Sequence, residues 1–215
     1  MQKQYLAYTR QYLLDRNADR SEAPGQRFRS HADHMARVAM WLTRLMAQGG
    51  EMDAEALHLA VAFHDVGYCR GAEDHASHSA DILRTYAAEA GLDAALTERA
   101  AFLVAEHSRK ADWLPRHDAP YSLILLMEAD LLDEEGAIGL VRDCLNAGEQ
   151  GARGYQDAYA IMQQFEPERL IKNPMVTPLG KELWEEKQRL IASFMQAFAY
   201  DLGIEENEPS WSQKT

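Results

Sequence analysis

Apolar residues along the chain recur at intervals of three and four, with almost no stretch of strict alternation, and that period predicts helices rather than strands. Between about 30 and 48, Val38, Trp41, Leu42 and Leu45 share one face, and the Gly49-Gly50 pair stops the run. Asp53 is placed to cap a helix through Asp65 that ends at Gly67. Further helices are predicted over about 2–15, 72–90 with Gly91 as the stop, and from Asp93 or Thr97 to His107. Two more cover about 121–133 and 136–147. The segments 17–26, with Pro24 and Gly25, and 113–120 read as connector and loop, and 148–154 as a glycine-rich break. Thr177-Pro178 reads as the cap and first residue of a long helix. Its expected apolar stripe is Leu183, Leu190, Ile191, Phe194, Phe198 and Leu202, with Gly203 closing it and a polar tail after Glu205. The expectation is an all-α, single-domain protein. An N-terminal helix and connector (1–27) would lead into a core (28–147), with a C-terminal helical extension (148–215) packing on it.

Composition narrows the function classes. Of 215 residues, 47% are hydrophobic and 26% charged, enough for a core without staples. The longest aliphatic run, 123–127, falls far short of the ~20 residues that span a bilayer. The first residues lack a signal-peptide pattern, and Cys69 and Cys144 form no CxxC pair, so a reducing, cytoplasmic setting is expected. Lys and Arg number 22 against 34 Asp and Glu, a net charge of −12. Such a chain repels long nucleic acid and anionic membrane surfaces, but not one small phosphorylated ligand held by a local cation or a metal. Oligomeric state is not legible.

Eight histidines then change the picture. His34 lies in line with Val38, Trp41, Leu42 and Leu45; His64 and Asp65 end the face of Leu57 and Val61. His75 heads the face of Ser79, Ile82, Leu83 and Tyr86, His107 closes that of Leu96, Ala100, Leu103 and Val104, and Asp130 follows Leu123, Leu126 and Met127. Five helices therefore each carry a His or Asp near one end of a core-facing stripe. Burying so many ionisable groups without a common partner is costly, and one divalent cation compensates them together. Imidazole with carboxylate suits manganese, iron, cobalt or nickel, with magnesium or zinc as further options. A second His-Asp pair, His117-Asp118, sits in a proline-flanked loop with no stripe behind it and reads as surface.

The pattern His34 … His64-Asp65 … Asp130 resembles the HD-domain superfamily of metal-dependent phosphohydrolases. Local contexts agree: His34-Met-Ala-Arg-Val-Ala, Ala-Phe-His64-Asp65-Val-Gly, His75-xxx-Ser-Ala-xx-Leu and Glu-His107-Ser. The stretch from Glu128-Ala-Asp130 to Ile138-Gly, with Met175-Val-Thr-Pro-Leu-Gly and the long last helix, is similar to a branch of small stand-alone bacterial HD hydrolases. The resemblance covers about residues 28–203 and implies a helical HD-domain fold. It implies His34, His64, Asp65 and Asp130 as metal ligands, with His31 the competing first histidine. His75 and His107 would complete a second metal position or bind phosphate. This chain departs from the branch in having Leu131 after the last ligand, and Tyr68 and Arg70 where a lysine follows the His-Asp pair.

The expected activity is hydrolysis of a small phosphate ester or phosphoanhydride, most simply of a nucleotide, by metal-activated water. Asp65 would orient that water, and Glu73 or Asp74 would act as general base. Arg70, Arg109 and Lys110 are the expected phosphate-binding cations, and Arg142 is expected to pair with Asp133. Trp113 and Tyr68 are candidates for stacking on a base. The alternatives are a di-iron oxygenase acting on a small hydroxylated substrate, which would need His75 and His107, and a nucleotide-binding module without turnover.

Overall fold

The computed structural model describes residues 2–20, 28–164 and 173–204. Most of the expected connector and the tail after Glu205 lie outside these residues. The periodic segments fold as helices: α1 (Gln2–Leu14), α2 (His31–Met46), α3 (Ala54–Phe63), α4 (His75–Glu89), α5 (Ala94–Glu106), α6 (Lys110–Trp113), α7 (Tyr121–Glu134), α8 (Ala137–Glu149), α9 (Tyr155–Gln163) and α10 (Pro178–Asp201). No strand occurs among the described residues, where an isolated bridge pairs Arg20 with Ser30. No described helix is long and apolar enough to cross a membrane.

Side-chain caps fix where helices begin. The Ser30 hydroxyl accepts from Asp33 N, the Asp53 carboxylate from Ala56 N, and the Asp93 carboxylate from Leu96 N, each satisfying an amide that the first turn leaves unpaired. Thr177 caps α10 in the same way, with Pro178 at its first turn. The main core joins α1 to α5 and α7 through fully buried Leu42, Leu45, Leu57, Val61, Phe63, Leu83, Val104, Leu123 and Leu126. A second apolar cluster joins α8, α9 and α10 through Leu140, Tyr159, Met162, Ile191, Met195 and Ala199.

Buried Glu128 on α7 ties the C-terminal helix to this core. Its carboxylate accepts from Thr177 N at 2.8 Å, Thr177 Oγ1 at 2.6 Å and Val176 N.

Four local expectations change. α3 stops at Phe63, and the chain continues as a 3₁₀ turn, Val66–Arg70, before α4 starts at His75 rather than at 72. Gly67 explains the tightness. A Cβ there would stand 2.1 Å from His75 O and 2.5 Å from Ser79 N, so only glycine lets the turn lie against α4. The short helix α6 occupies Lys110–Trp113, so part of the expected loop is helical. On α10 the buried stripe is Trp184, Ile191, Met195 and Ala199, whereas Leu190 and Phe194 are 46% and 37% exposed.

Candidate metal centre

The packing of α2, α3, α5 and α7 brings the ends of their apolar stripes to one point. His34 enters from the first turn of α2, His64 and Asp65 from the end of α3, His107 from the end of α5, and Asp130 from α7. All five are buried. His34 Nε2 is 3.1 Å from Asp130 Oδ1, 3.3 Å from Asp65 Oδ2 and 3.3 Å from His64 Nε2. Asp65 Oδ1 faces the other way, 3.3 Å from His107 Nε2 and 3.6 Å from His75 Nε2. His75 is the most open of the four imidazoles, with 17% of its side chain exposed.

Each ring is turned by a partner on its far nitrogen. Nδ1 of His34 donates to Asp133 Oδ2 at 2.7 Å, of His64 to Val61 O at 2.9 Å, of His107 to Val104 O at 2.7 Å and of His75 to Ala72 O at 3.2 Å. With Nδ1 engaged, Nε2 is the nitrogen that faces the carboxylates, open to a metal ion or, on His34, to a second proton. This is the arrangement that imidazoles adopt around a metal ion. Two groups, His34–His64–Asp130 and His64–Asp65–His107, place their donor atoms within 4.8 Å of one another. Two inward imidazole nitrogens 3.3 Å apart need a proton or a cation between them, and two adjacent carboxylates add the same demand. The donor set therefore fits a divalent cation with nitrogen and oxygen ligands.

The electrostatics are those of a cation-seeking pocket. Burial opposes ionisation of Asp65 and Asp130, yet Lys110 beside Asp130 and the charged imidazole of His34 between the two hold both well below the usual carboxylate range. Burial pushes His64 down to about 4, so it is neutral. His34 goes the other way: burial is outweighed by its bonds to Asp130 and Asp133, which raise it to about 9. His31, the competing first histidine, is buried beside the cluster but packs against Tyr68 (ring centroids 4.5 Å apart), and burial pushes it down to about 4.

Of the expected phosphate-binding cations, Lys110 is at the site, with Nζ 2.7 Å from Asp130 Oδ2. Arg109 points away, held by Glu106 and Asp112 at the surface. Arg70 is exposed and lines a separate groove with Tyr8, Tyr12 and Arg16. Glu73 and Asp74 lie exposed in the turn before α4, not among the side chains gathered around Asp65. Asp133 pairs with His34 and Arg37 rather than with Arg142, whose Nε is 3.5 Å from Asp143. Trp113 packs on the main core and donates to Glu106. His117 and Asp118 are exposed, as expected.

Arg29 is the residue that periodicity does not reveal. Its guanidinium, 16% exposed, reaches Asp65 Oδ2 at 3.4 Å and Glu134 Oε1 at 3.0 Å. It precedes the Ser30 cap and so lies outside the stripe of α2.

The geometry has counterparts among known proteins. Residues 31–135 match the HD domain family model. No curated protein matches the sequence. An HD-superfamily hydrolase from Bacillus thuringiensis shares the fold at 16% identity and a TM-score of 0.66, over 95% of this chain and 100% of that one. Lin1889 from Listeria innocua does so at 18% and 0.64, over 96% and 99%. Bacillus subtilis YpgQ, solved in complex with ADP, does so at 20% and 0.63, over 95% and 100%. With its His-Asp cluster inside the matched segment, residues 31–135 form an HD domain.

Proposed function

We propose that this protein is a metal-dependent phosphohydrolase acting on a small phosphorylated substrate, a nucleotide above all. The observation that carries the reading is the convergence of inward-facing Nε2 atoms on two ionised carboxylates, with Lys110 on the outer oxygen of Asp130 and Arg29 on the oxygen of Asp65 that also faces His34. His34, His64, Asp65 and Asp130 would hold one divalent ion. His75 and His107, on the other oxygen of Asp65, would serve a second ion or the phosphate. When bound, the ion supplies Lewis acidity, lowering the pKa of water and polarising a phosphoryl oxygen.

The chain's own groups do the rest. Asp133, Val61 and Val104 fix the proton on the far nitrogen of three ligand rings, so no reorganisation is needed at the site. Lys110 and Arg29 place two positive charges where phosphoryl charge develops, in surroundings that exclude most water. Asp65, with one oxygen toward each group of imidazoles, orients the attacking water. Glu73 or Asp74 would serve as general base only if the turn before α4 closes over the substrate. The acidic surface favours a small ligand over a polymer. The ADP held by YpgQ, a protein of the same fold, is consistent with this class.

Phosphate and pyrophosphate release from nucleotides, sugar phosphates and an aryl phosphate, with added manganese, tests the reading. Release that disappears in Asp65→Ala is the expected result. Metal-loaded protein that releases nothing, but consumes oxygen with iron bound, would instead identify the oxygenase chemistry.

A further inference from the structure

Three parallel rings stand beside the cluster. Tyr68, in the 3₁₀ turn after Asp65, stacks on His31 with centroids 4.5 Å apart and planes at 16°, and on His75 at 4.3 Å and 13°. Two rings at these distances cannot share one face, so Tyr68 is sandwiched and no face is left for a nucleobase. Its only free feature is its edge. The charges that act on its hydroxyl are those of Asp65, Arg29, Asp130 and Glu134, which belong to the cluster and its neighbouring arginine. No described residue hydrogen-bonds that hydroxyl.

The sandwich is kept at a polar cost. His31 is 3% exposed and its Nδ1 has no hydrogen-bond partner, a state that buried nitrogens rarely tolerate. The other neighbour, His75, is anchored through Ala72 O and the Gly67 contact with α4. Two fixed rings therefore hold a phenol edge-on toward the space beside Asp65 and Arg29. A phenol carries no charge to repel a substrate or to compete with a metal ion, and its O–H suits an anionic oxygen.

We propose that Tyr68 is a substrate-contacting residue whose hydroxyl donates a hydrogen bond to a phosphate oxygen held at the metal cluster, with His31 and His75 fixing its direction. This rests on the phosphohydrolase reading and deepens it. The residue recognises the phosphoryl group, and the organic part of the substrate must be recognised elsewhere.

The test is binding of inorganic phosphate to the manganese-loaded protein by calorimetry, beside turnover of whichever ester is cleaved. Tyr68→Phe keeps the ring in its stack and removes only the O–H. It should bind manganese as the wild type does and melt at the same temperature, while phosphate affinity falls about tenfold or more, the scale of a hydrogen bond to a charged group. Unchanged phosphate affinity in an active Tyr68→Phe enzyme overturns the contact and leaves hydrolysis standing. Weakened phosphate binding in a protein that cleaves no ester supports the contact and fails the hydrolase reading alone. Tyr68→Leu, which loses the ring as well, should be at least as weak as Tyr68→Phe. Wild-type binding by Tyr68→Leu also overturns the contact.

Discussion

Asp133 Oδ2 accepts the Nδ1 proton of His34 at 2.7 Å, and Arg37 grips the same carboxylate through Nε at 2.8 Å and Nη2 at 2.9 Å. The pair spans α2 and α7, so one contact joins the two helices and sets which nitrogen of His34 faces the cluster. Asp133→Asn keeps the shape and removes the charge. Manganese affinity, measured by calorimetry, should fall about 10- to 100-fold, the usual effect of losing a partner behind a metal ligand. Unchanged affinity would reduce Asp133 to a helix-packing residue.

The same contact predicts a pH dependence. His34 is raised to about 9 in the folded, metal-free protein against an ordinary 6.5, so the folded state holds its proton more tightly. That stabilisation is complete below 6.5 and is lost as pH rises through about 9. His64 and His31, pushed down to about 4, are neutral in both states above 6.5 and do not contribute in that window. Metal-free protein should therefore lose several degrees of Tm between pH 6.5 and 9. Manganese, which replaces the proton, should protect more at the upper end. A flat or rising metal-free Tm over that window would contradict the charged state assigned to His34.

Gly67 couples backbone to site. In Gly67→Ala the methyl group would meet His75 O and Ser79 N, both backbone atoms of α4, so the helix must move and carry His75 with it. A loss of about 1–3 kcal/mol, the scale of overpacking, is expected in thermal denaturation, together with weaker metal binding. A Cβ at Gly148, on α8, meets nothing within 4 Å, and Gly148→Ala should melt no lower than the wild type.

Lys110 and Arg109 are neighbours in sequence with opposite surroundings. Lys110→Met removes the cation beside Asp130 and should raise KM for a phosphorylated substrate about tenfold or more. Arg109→Met cuts exposed pairs with Glu106 and Asp112 and should leave kinetics within twofold or so. Equal effects in the two variants would remove Lys110 from the site.

The cluster was legible because its members sit on helical stripes: a His or Asp in line with buried leucines must be buried as well, whatever it does there. The failures follow from the same geometry. The chain leaves α5 at His107 and turns before α6 begins at Lys110, so the period of α5 does not extend to Arg109, which faces solvent, or to Lys110, which reaches Asp130. Asp133 lies three residues after Asp130 on the same face of α7, and that spacing was the available signal for its pairing with His34. Arg29 precedes a helix cap, where no period exists to be read. On α10 the apolar arc is wide enough that Leu190 and Phe194 fit it as well as Trp184 and Met195, and only the packing of Trp184 on the main core and of Met195 on α8 and α9 selects between them.

The central claim is that four side chains from three helices hold a metal ion. Manganese binding to Asp130→Ala and His117→Ala, measured beside the wild type, tests it most directly. Asp130→Ala should lose the ion because Asp130 Oδ1 is 3.1 Å from His34 Nε2 inside the cluster. His117→Ala should bind as the wild type, because that second His-Asp pair is at the surface. Full metal occupancy and activity in Asp130→Ala would contradict the assignment.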